Sequence, residues 1–315
     1  MRQGAGAGFG ASARLFKAGE AWYTFGGYRP EDGRNREGTR LNSAAAKPTV
    51  SVVIPAYNAG KTLRRTLDCV LGQTWGNLQV ILADDGSGDD TVAVARRAAE
   101  EDPRLTVIAG ENRGVSATRN AALALCRGKY IRFVDADDTL PGDSVERMVR
   151  RAERDGADFV IGGYDQYFGE KRSFHNLAGR EDTVPCDGMM DHLCRHANSY
   201  FYGVLWNKLF LRDVVEREHC RFQEDLTWGE DFAFVMDYLG GAERAAFMKE
   251  SLYDYRRTPV SASVQQVLDC VKHPAGNIRV KAVLYRHLRE MYRKRGIYEK
   301  YRKRLWIYLF RVGLG

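Results

Sequence analysis

The sequence of 315 residues lacks the features that mark several large classes of protein. No apolar run reaches the ~18–20 residues that span a bilayer. The segment behind Arg2 has no apolar core of the kind found in secretory signal peptides. The first predicted strand is not followed by the GxGxxG pattern of dinucleotide-binding proteins. We therefore expect no secretory signal, no membrane-spanning helix and no dinucleotide site.

The cysteines also lack the spacing of a disulfide framework or a zinc site. They include no CxxC pair. His192, Cys194 and His196 come closest to a metal pattern, but no further ligand stands at a suitable spacing. We predict reduced thiols in a cytosolic protein. The six cysteines are Cys69, Cys126, Cys186, Cys194, Cys220 and Cys270.

Positive charge is concentrated at one end of the chain. Residues 278–311 hold twelve Lys/Arg and two Glu, a net +10, so the remainder carries −3 of the overall +7. No nucleic-acid partner is therefore expected. Three interpretations of the basic end stay open: peripheral contact with an anionic membrane surface, a solvated surface, or a partner protein.

Apolar segments of two lengths alternate from residue 50 onward. Buried-strand patterns of four or five residues alternate with patterns of helical spacing. Such alternation predicts parallel βαβ units, hence an α/β fold with a Rossmann-like, mostly parallel sheet flanked by helices. The predicted strands are 50–54, 79–83, 105–109, 130–134 and 159–161, and the predicted helices are 60–73, 90–101, 115–126 and 141–154, with a basic helical stretch at 276–312.

Two acidic clusters follow strands of the predicted sheet. Asp84-Asp85 ends one strand, and Asp135-Ala136-Asp137-Asp138 ends another. Open α/β sheets bind ligands beyond the carboxyl ends of their strands. Concentrated carboxylate is costly unless a cation compensates it, so the two clusters predict a crevice where a hard metal ion holds a diphosphate.

Several short motifs occur in a fixed order around these clusters. Pro55-Ala56-Tyr57-Asn58 follows the first strand, and Arg119-Asn120 lies between the clusters. With Asp84 to Ser87, Asp135 to Asp138 and Gly229-Glu230-Asp231, this order resembles the inverting nucleotide-sugar glycosyltransferases of family 2, which have the GT-A fold.

The resemblance covers roughly residues 50–260 and implies a division of the chain. A GT-A domain would occupy 48–260, with a nucleotide-sugar half at 48–145 and an acceptor half at 146–260. Residues 1–47, rich in Gly, Ala and Arg, are predicted to form a mostly disordered leader. Residues 261–315 would form a basic helical extension at the C-terminus.

The resemblance implies a donor site at the strand ends. Asp85 would accept the imide N–H of uracil, since a carboxylate is an acceptor only, and this favours a UDP-sugar. Arg119 would contact the diphosphate or the base edge. Asp137 would be the direct ligand of Mn²⁺ or Mg²⁺, with Asp135 on the ribose or a metal-bound water. The remaining residues expected to bind the nucleotide sugar are Pro55 and Tyr57 against the base, Asn58 and Asp84.

The resemblance also implies a catalytic base in the acceptor half. Asp231 would take the proton of the acceptor hydroxyl, with Glu230 as the second choice, because inversion requires a base opposite the leaving group. The chemistry alone leaves a simpler alternative, an acidic pair that stabilises a helix start. Trp228 would stack on a sugar ring or only pack. Lys208 would reach an anionic group or remain a solvated lysine.

Simpler structural roles are open for the donor residues too. Asp-Gly-Ser after a strand is often only a turn with a helix cap. Asp138 is predicted to cap the following helix, which leaves Asp135 and Asp137 for the ligand. Arg119 could be a solvated helix residue, and Tyr57 could serve packing alone.

The resemblance thus implies a metal-dependent inverting glycosyltransferase at the cytoplasmic face of the membrane. It would move a sugar from a nucleoside-diphosphate donor to a glycan or lipid-linked acceptor, in the making of surface polysaccharide. Two alternatives are a sugar nucleotidyltransferase and a non-catalytic nucleotide-sugar-binding protein. The first would want a Gly-rich, basic phosphate loop after strand 50–54, which is missing. The second would be favoured by loss of Asp137 or Asp231, and both are present.

Overall fold

The central strands are apolar along their whole length because the sheet is covered on both faces. In the computed structural model, which describes residues 23–25, 49–197, 199–257 and 274–311, every residue of β2 (Val50–Ala56) and β3 (Leu78–Asp84) is buried. β2 pairs in parallel with β3 and with β5 (Tyr130–Phe133), and β3 pairs in parallel with β4 (Leu105–Ala109). The predicted parallel βαβ arrangement is confirmed.

The helices between these strands lie close to their predicted positions. They are α1 (Leu63–Leu71), α2 (Thr91–Glu101), α3 (Val115–Leu123) and α4 (Ser144–Asp155). The predicted cap of α4 was wrong. α4 begins after Asp143, whereas Asp138 is fully buried in the loop that follows β5.

The second half of the domain consists mostly of short strands and short helices. Strand β6 (Phe159–Phe168) turns back into β7 (Lys171–His175), which is largely exposed. Exposed β7 lacks the apolar alternation that marks a half-buried strand. The other elements are strands β8 (Thr183–Pro185), β9 (Lys208–Leu211) and β10 (Arg244–Arg256), and helices α5 (Met190–Arg195), α6 (Tyr200–Gly203), α7 (Arg212–Arg217) and α8 (Glu230–Leu239).

The described strands form one sheet in the order β1-β4-β3-β2-β5-β9-β6-β10-β8, with β7 on β6. β9 runs antiparallel to both β5 and β6, so β6 and β10 point the same way as β2. The edge strand β1 (Tyr23–Phe25) pairs antiparallel with β4. These three residues were predicted to lie in a mostly disordered leader; the rest of that leader lies outside the described residues.

The basic C-terminal end forms two helices, α9 (Pro274–Lys294) and α10 (Tyr298–Arg311), instead of one stretch. Gly296, with φ of 69°, breaks the helix between them, a conformation that suits glycine. Leu284, Leu288 and Met291 recur at helical spacing in the first helix and are all buried, so this side of the helix packs against the domain.

The described part of the chain also bears on the expectations about membrane-spanning helices and cysteines. None of its helices combines the length and apolar character needed to cross a bilayer. Its cysteines carry free thiols, as predicted, and Cys270 lies outside the described residues.

Candidate active site

The carboxyl ends of three parallel strands place the predicted donor residues side by side. β2 lies between β3 and β5 in the sheet. Tyr57 and Asn58 follow β2, the Asp84-Asp85 pair closes β3, and Asp135 follows β5 by two residues. The two acidic clusters therefore flank the loop after β2, at the edge where open α/β sheets bind ligands.

Polar side chains shape the loops after β2 and β3. Asn58, in the left-handed region with φ of 50°, donates its backbone N–H to the Ser87 hydroxyl at 2.8 Å. Its side-chain oxygen accepts from Gly88 N–H at 2.9 Å. The Asp84 carboxylate is buried and accepts from the N–H groups of Gly86 and Ser87, at 3.1 and 3.0 Å. Asn58 and Asp84 thus hold the loops together.

Tyr57 presents its ring to solvent beside this loop. The residue is 56% exposed, whereas Pro55 is buried within β2. A packing role for Tyr57 is therefore not supported, and its ring is available to stack on a planar ligand.

Asp85 is held rigidly by backbone groups. Its two carboxylate oxygens accept one hydrogen bond each, from Arg113 N–H at 2.8 Å and from Gly114 N–H at 3.0 Å. Each oxygen keeps capacity for another donor. The carboxylate is thus fixed in orientation and still able to accept from a ligand.

The loop after β5 is clamped onto helix α1. The hydroxyls of Thr62 and Thr66 both donate to the carbonyl of Ala136 at 3.0 Å. The Arg65 guanidinium donates to the carbonyl of Asp137 at 2.8 Å. The loop backbone that carries the acidic side chains is therefore fixed before any ligand binds.

Asp138 differs from the other acidic residues of this loop. Its carboxylate accepts from the Tyr253 hydroxyl at 2.8 Å and from Arg256 N–H at 2.7 Å. Asp138 thus joins the loop to β10, while Asp135 and Asp137 remain partly exposed at the crevice.

Arg119 joins the two halves of the domain. Its Nη1 atom donates to Asp231 Oδ1 at 2.7 Å and to Glu230 Oε1 at 2.9 Å, and Nη2 lies 3.8 Å from Asp135 Oδ1. The guanidinium also sits over the Phe222 ring, 5.3 Å from its centroid. Arg119 is only 6% exposed, so the solvated alternative was wrong.

The charges in this network shift one another's pKa values. Burial raises the pKa of Asp231, Glu230 and Asp135 raise it further, and Arg119 offsets only part of the shift. Burial raises the pKa of Asp135 in the same way. Burial works against the charge on Arg119, but the surrounding carboxylates outweigh it and raise its pKa. The network is therefore short of positive charge.

Glu230 and Asp231 occupy the first turn of α8. Gly229 precedes them with φ of 78°, in the left-handed region that favours glycine. The helix dipole stabilises carboxylates at this end, so the structural alternative holds in part. The contacts with Arg119, a residue of α3, bring the pair to the donor crevice as well.

Lys208 is buried and does not reach solvent. Lys208 is 0% exposed and donates to the carbonyl of Phe201 at 2.8 Å, to that of Val204 at 2.5 Å and to the side chain of Asn207 at 2.7 Å. All three ammonium protons are used, and burial lowers its pKa well below the ordinary value. The solvated alternative was wrong. Trp228 is half-buried against the core.

Asn120 also joins the two halves of the domain, a role that the sequence did not indicate. Its side-chain amide donates to Phe222 carbonyl at 2.9 Å and its oxygen accepts from Phe222 N–H at 2.9 Å. This paired contact fixes the segment that leads to Glu230. The motif Arg119-Asn120 marked the position, but nothing in the sequence indicated its partner.

No group of three or more His, Cys, Asp or Glu side chains in the described ranges forms a ready metal cluster. His192 shares a hydrogen bond with the Tyr202 hydroxyl at 2.7 Å. Mg²⁺ is commonly held by one or two carboxylates together with substrate phosphates. Asp135 and Asp137 offer the carboxylate part of such a set.

Comparison with known proteins agrees with this architecture. The sequence model described as Glycosyl transferase family 2 matches residues 51–217. The uncharacterized glycosyltransferase EpsJ of Bacillus subtilis is 30% identical over 76% of this chain and 70% of its own length. The succinoglycan biosynthesis protein ExoO of Rhizobium meliloti is 32% identical over 66% of this chain and 60% of its own length.

Solved structures share the fold. S. aureus TarS 1-349 in complex with UDP-GlcNAc superposes with a TM-score of 0.60 at 19% identity, over 78% of this chain and 72% of that one. The mannosyltransferase PcManGT from Pyrobaculum calidifontis, in complex with GDP-Man and Mn²⁺, superposes with a TM-score of 0.53 at 19% identity. The superposition covers 85% of this chain and 86% of that one. The predicted GT-A fold is confirmed, and the family match favours a transferase over both alternatives. The chain belongs to glycosyltransferase family 2.

Proposed function

We propose that the chain transfers a sugar, with inversion, from a UDP-sugar to a glycan or lipid-linked acceptor, and that Mn²⁺ or Mg²⁺ assists. The observation that carries this proposal is the buried network in which Arg119 contacts Asp231, Glu230 and Asp135. It brings a candidate base from the acceptor half to the edge where the donor would lie.

Asp231 is the proposed general base. It would accept the proton of the acceptor hydroxyl as that oxygen attacks the anomeric carbon from the face opposite the diphosphate. Its raised pKa suits this task, because a base works best when its pKa lies nearer the operating pH than that of an ordinary carboxylate. Arg119 would hold the carboxylate in place, and Glu230 is the second choice for base.

Asp85 is proposed to select uracil. Its fixed carboxylate would accept the imide N–H, and the exposed ring of Tyr57 would stack on the base. Pro55, Asn58 and Asp84 would support this site by shaping its loops. TarS is described with UDP-GlcNAc and PcManGT with GDP-Man, so the preference for uracil over guanine rests on Asp85.

A divalent cation fits the charge balance of the crevice. Asp135, Glu230 and Asp231 with Arg119 sum to −2 when all are ionised, before a diphosphate is added. Asp137 and Asp135 would hold the ion, which supplies Lewis-acid stabilisation of the leaving diphosphate. The PcManGT complex with Mn²⁺ supports this assignment.

The acceptor and its setting are proposed from the relatives and the C-terminal helices. ExoO is named for succinoglycan biosynthesis, which supports a role in surface polysaccharide. Trp228 would contribute to the acceptor side. The three ammonium protons of Lys208 are donated to groups within the protein, so the structure does not support a contact between Lys208 and the acceptor.

Helices α9 and α10 present a surface suited to the anionic inner face of the plasma membrane. Ile278 is 70% exposed and Trp306 is 56% exposed. Trp306 packs near Tyr285, with ring centroids 6.0 Å apart, and Ile278 lies two turns before Tyr285 on the same side of α9. In the described part of the chain, no carboxylate pairs with Arg279 or Arg286. Apolar groups flanked by cations are typical of interfacial helices.

Replacing Asp231 tests the proposed base. We expect Asp231→Asn to lower kcat for metal-dependent UDP release from a UDP-sugar by about 10²–10⁴-fold, with water as acceptor and the KM for donor unchanged. Asp213→Asn, the same change at an exposed residue of α7, should stay near wild type. Activity of Asp231→Asn above a tenth of wild type, in a folded variant, would contradict the assignment.

Calorimetric titration of nucleotides tests the donor and metal assignments. UDP should bind at least tenfold more tightly with Mn²⁺ or Mg²⁺ than with EDTA, because Asp137 would hold a cation that offsets the charge of the diphosphate. Asp137→Asn should lose this enhancement, whereas Asp143→Asn, at the cap of α4, should keep it. Equal UDP affinity with and without metal would exclude the metal role, and tighter binding of GDP than UDP would exclude the uracil role.

Vesicle co-sedimentation tests the membrane surface. We expect binding to vesicles with anionic lipid at low salt, and loss of binding at high salt or with neutral lipid. The pair Arg279→Glu and Arg286→Glu should abolish it. Arg97→Glu with Arg150→Glu, which reverses as much charge elsewhere, should not. Binding that ignores lipid charge and salt would overturn this part of the proposal.

A further inference from the structure

The side chain of Leu284 on α9 lies directly against Gly229. A methyl group placed on Gly229 would be 2.6 Å from Leu284 Cδ1 and 3.1 Å from Cδ2, closer than carbon atoms approach. Leu284 is 2% exposed. Gly229 therefore has two reasons to be glycine: its φ of 78° and the leucine that occupies the space beside it.

This contact lies at the turn that presents the proposed base. Gly229 caps α8 and immediately precedes Glu230 and Asp231. Arg119 restrains the Asp231 carboxylate from the donor half, but it does not fix the backbone of the turn. Leu284 packs against that backbone, so its position sets how far the turn can move.

Helix α9 is itself firmly attached along α8. Met291, two turns beyond Leu284, is 2% exposed. His287 Nδ1 and Asp237 Oδ1 lie 2.6 Å apart, and Arg295 donates to the carbonyl of Leu239 at 2.6 Å. A helix held at several points offers a rigid surface for the turn.

We propose that α9, through Leu284, is a positioning element for the base Asp231. The inference rests on the proposed function, since it concerns the same base. The match to the family model ends at residue 217, so it assigns no role to this helix. A displacement of about 1 Å in a reacting group can cost much of the rate, so a leucine that touches no substrate can still control catalysis.

Paired leucine variants test this role. Leu284→Ala opens space beside Gly229, and Leu288→Ala removes the same atoms one turn away in the same interface. We expect Leu284→Ala to lower kcat for UDP release about tenfold with the donor KM unchanged, and Leu288→Ala to stay within about twofold of wild type. Leu284→Met, which keeps the volume, should recover most of the rate.

Hydrogen exchange gives a second reading that does not depend on turnover. In Leu284→Ala, the amides of residues 228–233 should exchange faster than in Leu288→Ala, while those of β2 stay unchanged. If Leu284→Ala does not fold, Leu284→Val serves in its place. Equal kcat and equal exchange in the two alanine variants would overturn the inference. The proposed function would fail separately, if Asp231→Asn remained active.

Discussion

The buried guanidinium of Arg119 joins the two halves of this domain at the candidate site. It belongs to α3, within residues 48–145, and donates to Glu230 and Asp231, within residues 146–260. A buried charge is tolerated only when partners compensate it, and removing one partner leaves the others uncompensated. The positions of α3, α8 and the loop after β5 are therefore interdependent, and the crevice between them has one preferred shape.

The rest of the crevice is held by contacts that need no ligand. Thr62 and Thr66 fix the loop after β5, backbone amides fix Asp85, and Asn120 fixes the segment before α8. The remaining deficit is one of charge, because the carboxylates outnumber the cations around Arg119. A divalent cation would offset part of the negative charge of these carboxylates and of a bound diphosphate without moving the backbone, as catalysis by preorganised charges requires.

Much of residues 48–145 could be predicted from sequence because the strands there are continuous apolar runs and the candidate ligand residues follow strand ends. The contacts of Arg119 could not, since Glu230 stands 111 positions away and nothing local indicates the pairing. The same holds for Asp138, whose partners Tyr253 and Arg256 lie on β10, and for Lys208, whose burial the surrounding sequence does not reveal. Local patterns predict elements, whereas partners across the sheet depend on the completed fold.

The proposed reaction is a single displacement with inversion, in which Asp231 is the base at a nucleotide-sugar site. Proton NMR of donor hydrolysis tests it without knowledge of the acceptor. With an α-linked UDP-sugar and Mn²⁺, we expect the free sugar to appear first as the β anomer and only later to equilibrate by mutarotation. First appearance of the α anomer would show retention, and a base at Asp231 acting opposite the leaving group would then be wrong.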